Sequence, residues 1–134
     1  MSSIFFMVNQ FFSINNHFIS ISVNKNGAEL ASVLQLDNQF EFIWNANPTV
    51  WNRHAPVLFP IVGKLKNNKI SFNGILYEMS QHGFARDSNF ELINNTEKSL
   101  TFLLQSNKKT FEMYPFEFLF YIIFIFIEIT NQLK

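Results

Sequence analysis

The chain has 134 residues, 48% of them apolar and 15% charged, with ten basic and ten acidic side chains that leave a formal net charge of zero. That length suits one modest domain with a real core, the low charge excludes a disordered chain, and the lack of net charge argues against nucleic acid as a partner. Cysteine is absent, which removes disulfides, thiolate chemistry and cysteine-based metal sites.

The opening residues, MSSIFFMVNQFF, carry no basic n-region, and Asn9 and Gln10 interrupt their apolar run. They make no secretory signal, so a cytoplasmic protein is expected. Residues 1–17 read as an irregular leader, with an exposed His17, to a single domain that fills the chain. Alternation then sets in. In HFISISV, Ile19, Ile21 and Val23 point one way and Ser20 and Ser22 the other, which is the period of a strand. GAELASVLQL places Leu30, Leu34 and Leu36 on one face of a second strand, with a short helix as the alternative. QFEFIW groups Phe40, Phe42 and Trp44 opposite Glu41 and Ile43.

The next stretch, NANPTVWNRHAPVLFPIVGK, holds three of the four prolines and predicts a long ordered loop, a common seat of function. His54 within it is a candidate to line a pocket. KISFNGILYEM predicts a hairpin, because Asn73-Gly74 supplies the two positive-φ residues of a two-residue turn. After QHGFARD, the segments FELI and SLTFLLQ alternate through Phe90, Leu92, Leu100, Phe102 and Leu104. EMYPFEF then leads into FLFYIIFIFI, ten uncharged residues bracketed by Glu117 and Glu128. A membrane-spanning helix needs roughly 20 such residues, so this run reads as a strand with both faces buried between layers. Short strands separated by turn residues predict an all-β antiparallel sandwich.

Chemistry concentrates in QHGFARD. The chain has only two arginines, Arg53 and Arg86, and three histidines. Gly83 permits a close backbone approach from which His82 and Arg86 project. An imidazole can exchange a hydrogen bond with a sugar ring oxygen, and a guanidinium offers a fork of donors to hydroxyls or phosphate. The structural alternative has Arg86 pairing with Asp87 or Glu78 and His82 capping a turn. The residues alone leave both open.

Taken in order, GAELASV, FIWNANPTVW, WNRHAPVLFPIVGKL, GILYEMSQHGFARD and YPFEF resemble the aldose 1-epimerase (galactose mutarotase) family, in its branch with a QHGFAR segment. The resemblance runs from about Ile19 to Phe118. It implies an antiparallel β-supersandwich, present here as its N-terminal half, that interconverts the anomers of a free aldose with no metal or organic cofactor. It also implies that His82 is a catalytic residue near the ring oxygen. Lys64 stands where the family has an arginine holding sugar hydroxyls, and Arg86 lines the pocket or meets an anionic group. Trp51 either stacks on the sugar or sits in the core. The family's second histidine, its acidic sugar ligand and its glutamate base lie downstream of YPF. None of the eight glutamates here matches that base. Little or no mutarotase activity is therefore expected of this polypeptide alone. The alternatives are a non-catalytic carbohydrate-binding module, an inactive remnant, and a small membrane-associated protein using residues 118–127.

Overall fold

The computed structural model describes residues 10–127. Residues 1–9 of the expected leader and Glu128, one of the two charges bracketing the terminal run, lie outside them. Among the described residues eight strands make three antiparallel sheets, and the helical part is two single 3-10 turns and a four-residue α1 at Lys108–Phe111.

The first sheet joins β1 (Phe11–Asn15), β2 (Ile19–Asn24) and β3 (Glu29–Gln35) in chain order. Here the leader expectation needs correction: residues 11–15 are a regular strand. Phe12 pairs with Val23 and Ile14 with Ile21, so the inward side chains of β1 bury themselves on the inner face of β2. That alternation is hidden in sequence by the aromatic at position 11, which points outward and is exposed.

The expected face of β3 is also revised. Val23 pairs with Leu30 but Ser22 pairs with Ser32, so Ala31 is an extra residue that shifts the register. Such a bulge moves the following side chains to the other face. Leu30 and Val33 therefore pack on the core, and Leu34 and Leu36 do not. The segment around Phe40, Phe42 and Trp44 forms no strand; its backbone meets the sheet at an isolated Leu34–Glu41 bridge, where Gln35 N–H donates to the Phe40 carbonyl and Phe42 N–H to the Val33 carbonyl. The reason lies in Glu41, whose carboxylate takes hydrogen bonds from Ser32 Oγ and from the Val33 and Ile43 backbone N–H groups. A side chain thus takes the place of further ladder bonds beyond the two at the bridge. Phe40 and Phe42 remain more than half exposed.

The hairpin of β4 (Lys69–Phe72) and β5 (Ile75–Glu78) forms as expected, with φ of +50° at Asn73 and +78° at Gly74. The third sheet joins β6 (Glu91–Asn95), β7 (Ser99–Gln105) and β8 (Leu119–Ile125). On β7 the inward residues Leu100, Phe102 and Leu104 are buried, and they pair with Phe124, Ile122 and Phe120 of β8. The Phe102 ring also meets Phe12 edge-on at 6.2 Å, tying the first sheet to the third. With Val23, Met79, Phe84, Ala85 and Phe90 these residues form one core cluster. β8 departs from expectation in one respect. Only its inner face is covered, while Leu119, Tyr121, Ile123 and Ile125 are 46–60% exposed.

Candidate functional site

Two loops that are distant in sequence are stitched together by backbone. The carbonyl of Phe59, in the proline-rich loop, accepts from the N–H groups of Phe84 and Ala85 at 3.0 and 3.2 Å. A Cβ on Gly83 would lie 2.2 Å from that same oxygen, so only glycine allows the approach. The Phe59 ring stacks on Phe120 at 4.3 Å and meets Phe84 and Tyr114 edge-on, which fixes this crossing to the core. A second contact anchors the other side of QHGFARD. Gly27 N–H donates to the Ser88 carbonyl at 2.7 Å, and a Cβ on Gly27 would meet the Arg86 carbonyl at the same distance.

His82 occupies the left-handed region, with φ of +68°, a conformation that costs energy for a side chain of its size. It is held there twice by one residue. His82 N–H donates to the Gly63 carbonyl at 2.8 Å, and Gly63 N–H donates to His82 Nδ1 at 2.9 Å. Because Nδ1 accepts, the proton of the neutral ring sits on Nε2. The Gln81 amide nitrogen lies 3.2 Å from Nε2; two N–H groups cannot bond each other, so with the proton on Nε2 the amide is assigned the flipped orientation that turns its oxygen to that hydrogen. The half-buried imidazole is thus a fixed donor on a rigid loop.

Arg86 does not pair with Glu78. Its Nη2 donates to the Gln81 carbonyl at 2.8 Å, its Nε lies 3.9 Å from Asp87 Oδ2, and that Nε is buried without a hydrogen-bond partner. The close partner of Asp87 is Arg53, at 2.8 Å. The only two arginines therefore flank one carboxylate, 33 residues apart in sequence, and Arg53 joins the proline-rich loop to QHGFARD. Lys64, next to the glycine that holds His82, is exposed and has no hydrogen-bond or ion-pair partner among the described residues.

The rest of the proline-rich loop hangs on one buried carboxylate. Glu29 Oε1 accepts from His54 N–H at 2.6 Å and from Ala55 N–H at 2.9 Å. His54 Nδ1 in turn donates to the Trp44 carbonyl at 2.7 Å, and Trp44 Nε1 donates to the Trp51 carbonyl at 2.9 Å. Trp51 is not a core residue: it is 49% exposed. Sequence reasoning missed the roles of Glu29, Gly63 and Gln81. Each contact has a main-chain atom on one side or joins chain neighbours, and such contacts leave no mark in a motif.

The geometry brings His82 and Arg86 onto one loop, with Lys64 beside the residue that clamps His82, but it does not enclose them. One cavity, about 710 Å³, lies between His17, Phe18, Glu97 and Phe126. Another, about 530 Å³, is lined by Ser80, Phe84, Asp87, Asn89 and Lys109. Neither is lined by Lys64, His82 or Arg86. Among the described residues no three His, Asp or Glu side chains cluster as a metal site, and no helix is long and apolar enough to cross a membrane.

Comparison with known proteins gives this arrangement its context. Residues 10–131 match the family model for aldose 1-epimerase. The chain is 31% identical over 113 residues to the plasmid-borne protein LacX of Lactococcus lactis subsp. lactis, covering 78% of this chain and 36% of that one. Its fold superposes with a TM-score of 0.86 on a galactose mutarotase related enzyme from Lactobacillus acidophilus, at 45% identity, over 87% of this chain and 39% of that one. A galactose mutarotase-like protein from Lactobacillus casei ATCC 334 gives a TM-score of 0.83 and 34% identity, with 86% and 39% covered. The chain therefore spans somewhat over a third of the length of these relatives. On the extent of the family match and the agreement in fold, the chain belongs to the aldose 1-epimerase family.

Proposed function

We propose that this chain supplies one wall of an aldose 1-epimerase site, in which His82 meets the sugar ring oxygen while Lys64 and Arg86 hold hydroxyls or an anionic group. The observation that carries the reading is the double clamp of His82 on Gly63, which fixes the ring with Nε2–H as its donor, one that a ligand oxygen would take over from the Gln81 amide. In anomer exchange, a carboxylate base takes the proton of the C1 hydroxyl and an acid gives one to the ring oxygen. The bond between C1 and the ring oxygen breaks, C1–C2 rotates, and the ring recloses on the other face. A donor aimed by the main chain suits the ring-oxygen role, since it needs no reorganisation when the oxygen gains charge. We assign the protein to the cytoplasm on the same reading.

The resemblance puts the base downstream of YPF and none of the eight glutamates here matches it, so the expected outcome for the 134 residues assayed alone is little or no mutarotase activity. A second reading, a sugar-binding wall without catalysis, is favoured by the partners of His82. Among the described residues these are Gly63 and Gln81, and no carboxylate is one of them. The test is nuclear magnetic resonance of the His82 imidazole during titration with galactose or glucose, paired with polarimetry of mutarotation. A saturating shift at His82 that is lost in His82→Ala supports the sugar site. An acceleration of mutarotation by the chain alone, lost in the same variant, replaces the second reading with the first. No response at His82 or Arg86 to any aldose overturns both.

A further inference from the structure

Asp87 lies between the two arginines, and where it turns decides what Arg86 has left to offer. Its Oδ1 is taken by Arg53 Nη2 at 2.8 Å, while its Oδ2 stays 3.9 Å from Arg86 Nε, outside hydrogen-bond reach. That Nε is buried and has no other partner. A buried guanidinium N–H gains by closing on a neighbouring carboxylate, because charge-assisted bonds are strong and an unmade one is costly. The Asp87 side chain is more than half exposed, so packing does not hold it back. The group that holds it is Arg53.

Arg53 is placed in turn by the connection between β2 and β3. On the QHGFARD side this connection grips by main chain: the Lys25 carbonyl accepts from Phe90 N–H at 3.1 Å, and Gly27 N–H donates to the Ser88 carbonyl at 2.7 Å. On the other side Glu29 Oε1 accepts from the His54 and Ala55 N–H groups. Ser88 follows Asp87 and His54 follows Arg53, so residues 25–29 grip the chain beside both ends of the ion pair. Of these grips, that of Glu29 alone is made by a side chain. We infer that Glu29 and Arg53 are positioning residues that keep Asp87 off Arg86, leaving the guanidinium of Arg86 to hold the hydroxyls or anionic group of a ligand. Arg86 has already given Nη2 to the Gln81 carbonyl, so a carboxylate closed on Nε would cancel its charge and turn its remaining donors. The inference rests on the sugar reading for the identity of the ligand and not for the arrangement of the three side chains.

The experiment reads the Arg86 Nε–H resonance of the 134-residue chain without ligand, then its affinity for galactose and glucose by titration. Arg53→Gln lets Asp87 close on Arg86, so the Nε–H resonance moves downfield and sugar affinity falls about tenfold. Adding Asp87→Asn to Arg53→Gln returns the resonance and brings the affinity to within about twofold of Asp87→Asn alone. Glu29→Ala moves the same resonance in the same direction and is rescued by the same Asp87→Asn, whereas Glu29→Gln, which keeps an acceptor oxygen, moves it less. Arg53 is partly exposed, so Arg53→Gln decides the matter if Glu29→Ala does not fold. An Arg86 Nε–H unmoved by Arg53→Gln overturns the inference. So does an affinity loss that Asp87→Asn fails to restore, the mark of a loop merely loosened. A wild-type chain that ignores both sugars while Arg53→Gln moves the Arg86 resonance leaves the inference standing and removes the sugar reading. Sugar binding indifferent to Arg53→Gln does the reverse.

Discussion

The motif side and the β8 side of this molecule are finished to different degrees. Around QHGFARD, backbone groups from three separate stretches lock together: Phe59 with Phe84 and Ala85, Gly63 with His82, and Gly27 with Ser88. All of these backbone contacts lie within residues 27–88, and the Phe59 ring fixes them to the core through Phe120 and Tyr114. Across the core, β8 is seated on β7 with its outer row bare. The difference teaches that the wall bearing the histidine is held by contacts along and across its own loops, whereas the sheet behind it presents an apolar outer row to solvent among the described residues. Substitutions on the two sides should then fail in different ways.

The largest effect falls on the core that both sides share. Phe102 is fully buried between the sheets, and Phe102→Ala should cost about 3–5 kcal/mol in urea denaturation, because the cavity cannot collapse between two strands. Gly83→Ala tests the motif side alone. A methyl 2.2 Å from the Phe59 carbonyl, at a φ of +75°, must push the two loops apart. Strain and overpacking together predict a loss of about 3 kcal/mol. If the crossing is a self-contained unit, the loss should come with faster hydrogen exchange at Phe84 and Ala85, while the β7–β8 amides stay protected.

His82→Ala removes the acceptor for Gly63 N–H and is expected to cost about 1 kcal/mol. Equal loss of stability and of the sugar-induced resonance shift would mean that the ring is only a brace. Loss of the shift with little loss of stability would mean that it touches ligand. Smaller still is the Arg53–Asp87 bridge, half open to solvent and worth about 0.2–1 kcal/mol by a double-mutant cycle of Arg53→Gln and Asp87→Asn. Its size sets how strongly the proline-rich loop is held to QHGFARD by side chains, as opposed to main chain.

Much of this was legible from residues. The alternation in HFISISV and SLTFLLQ, the Asn73-Gly74 turn and the long proline-rich loop all stand as read, because each depends on local periodicity or local φ. The likeness of PVLFPIVGKL and QHGFARD to one family was equally legible, and the extent of the family match agrees with it. What failed depended on partners. The Ala31 bulge is set by pairing with β2 and leaves no local sign, so Leu34 was assigned to the wrong face. Ten apolar residues in a row could not show that β8 is covered on one side only, since exposure there depends on what is packed against it. The clamp of Gly63 on His82 joins main chain to side chain across 19 residues, and no spacing rule encodes it.

The smallest expected effect is the pH response of Glu41, which organises the stretch that did not become a strand. Burial pushes its carboxyl pKa up, but hydrogen bonds from Ser32 and from the backbone of Ile43, Val33 and Phe42 outweigh it and hold the pKa below the ordinary value of 4.5. A carboxyl with a lowered folded-state pKa contributes stability that is fully present above its unfolded-state pKa and is lost as pH falls through the folded one. Stability should therefore be flat near neutrality and decline below pH 4.5. The Glu41 share of that decline is under about 1 kcal/mol, because the group is solvent-screened. Glu41→Gln should remove this share of the acid slope and, near neutrality, loosen the 40–44 segment, read as faster exchange of the Ile43 amide. That amide donates to Glu41 at 2.9 Å, whereas the β7–β8 amides share no partner with it and should exchange as before. An acid slope unchanged in Glu41→Gln would instead place the pH-sensitive group elsewhere in the chain.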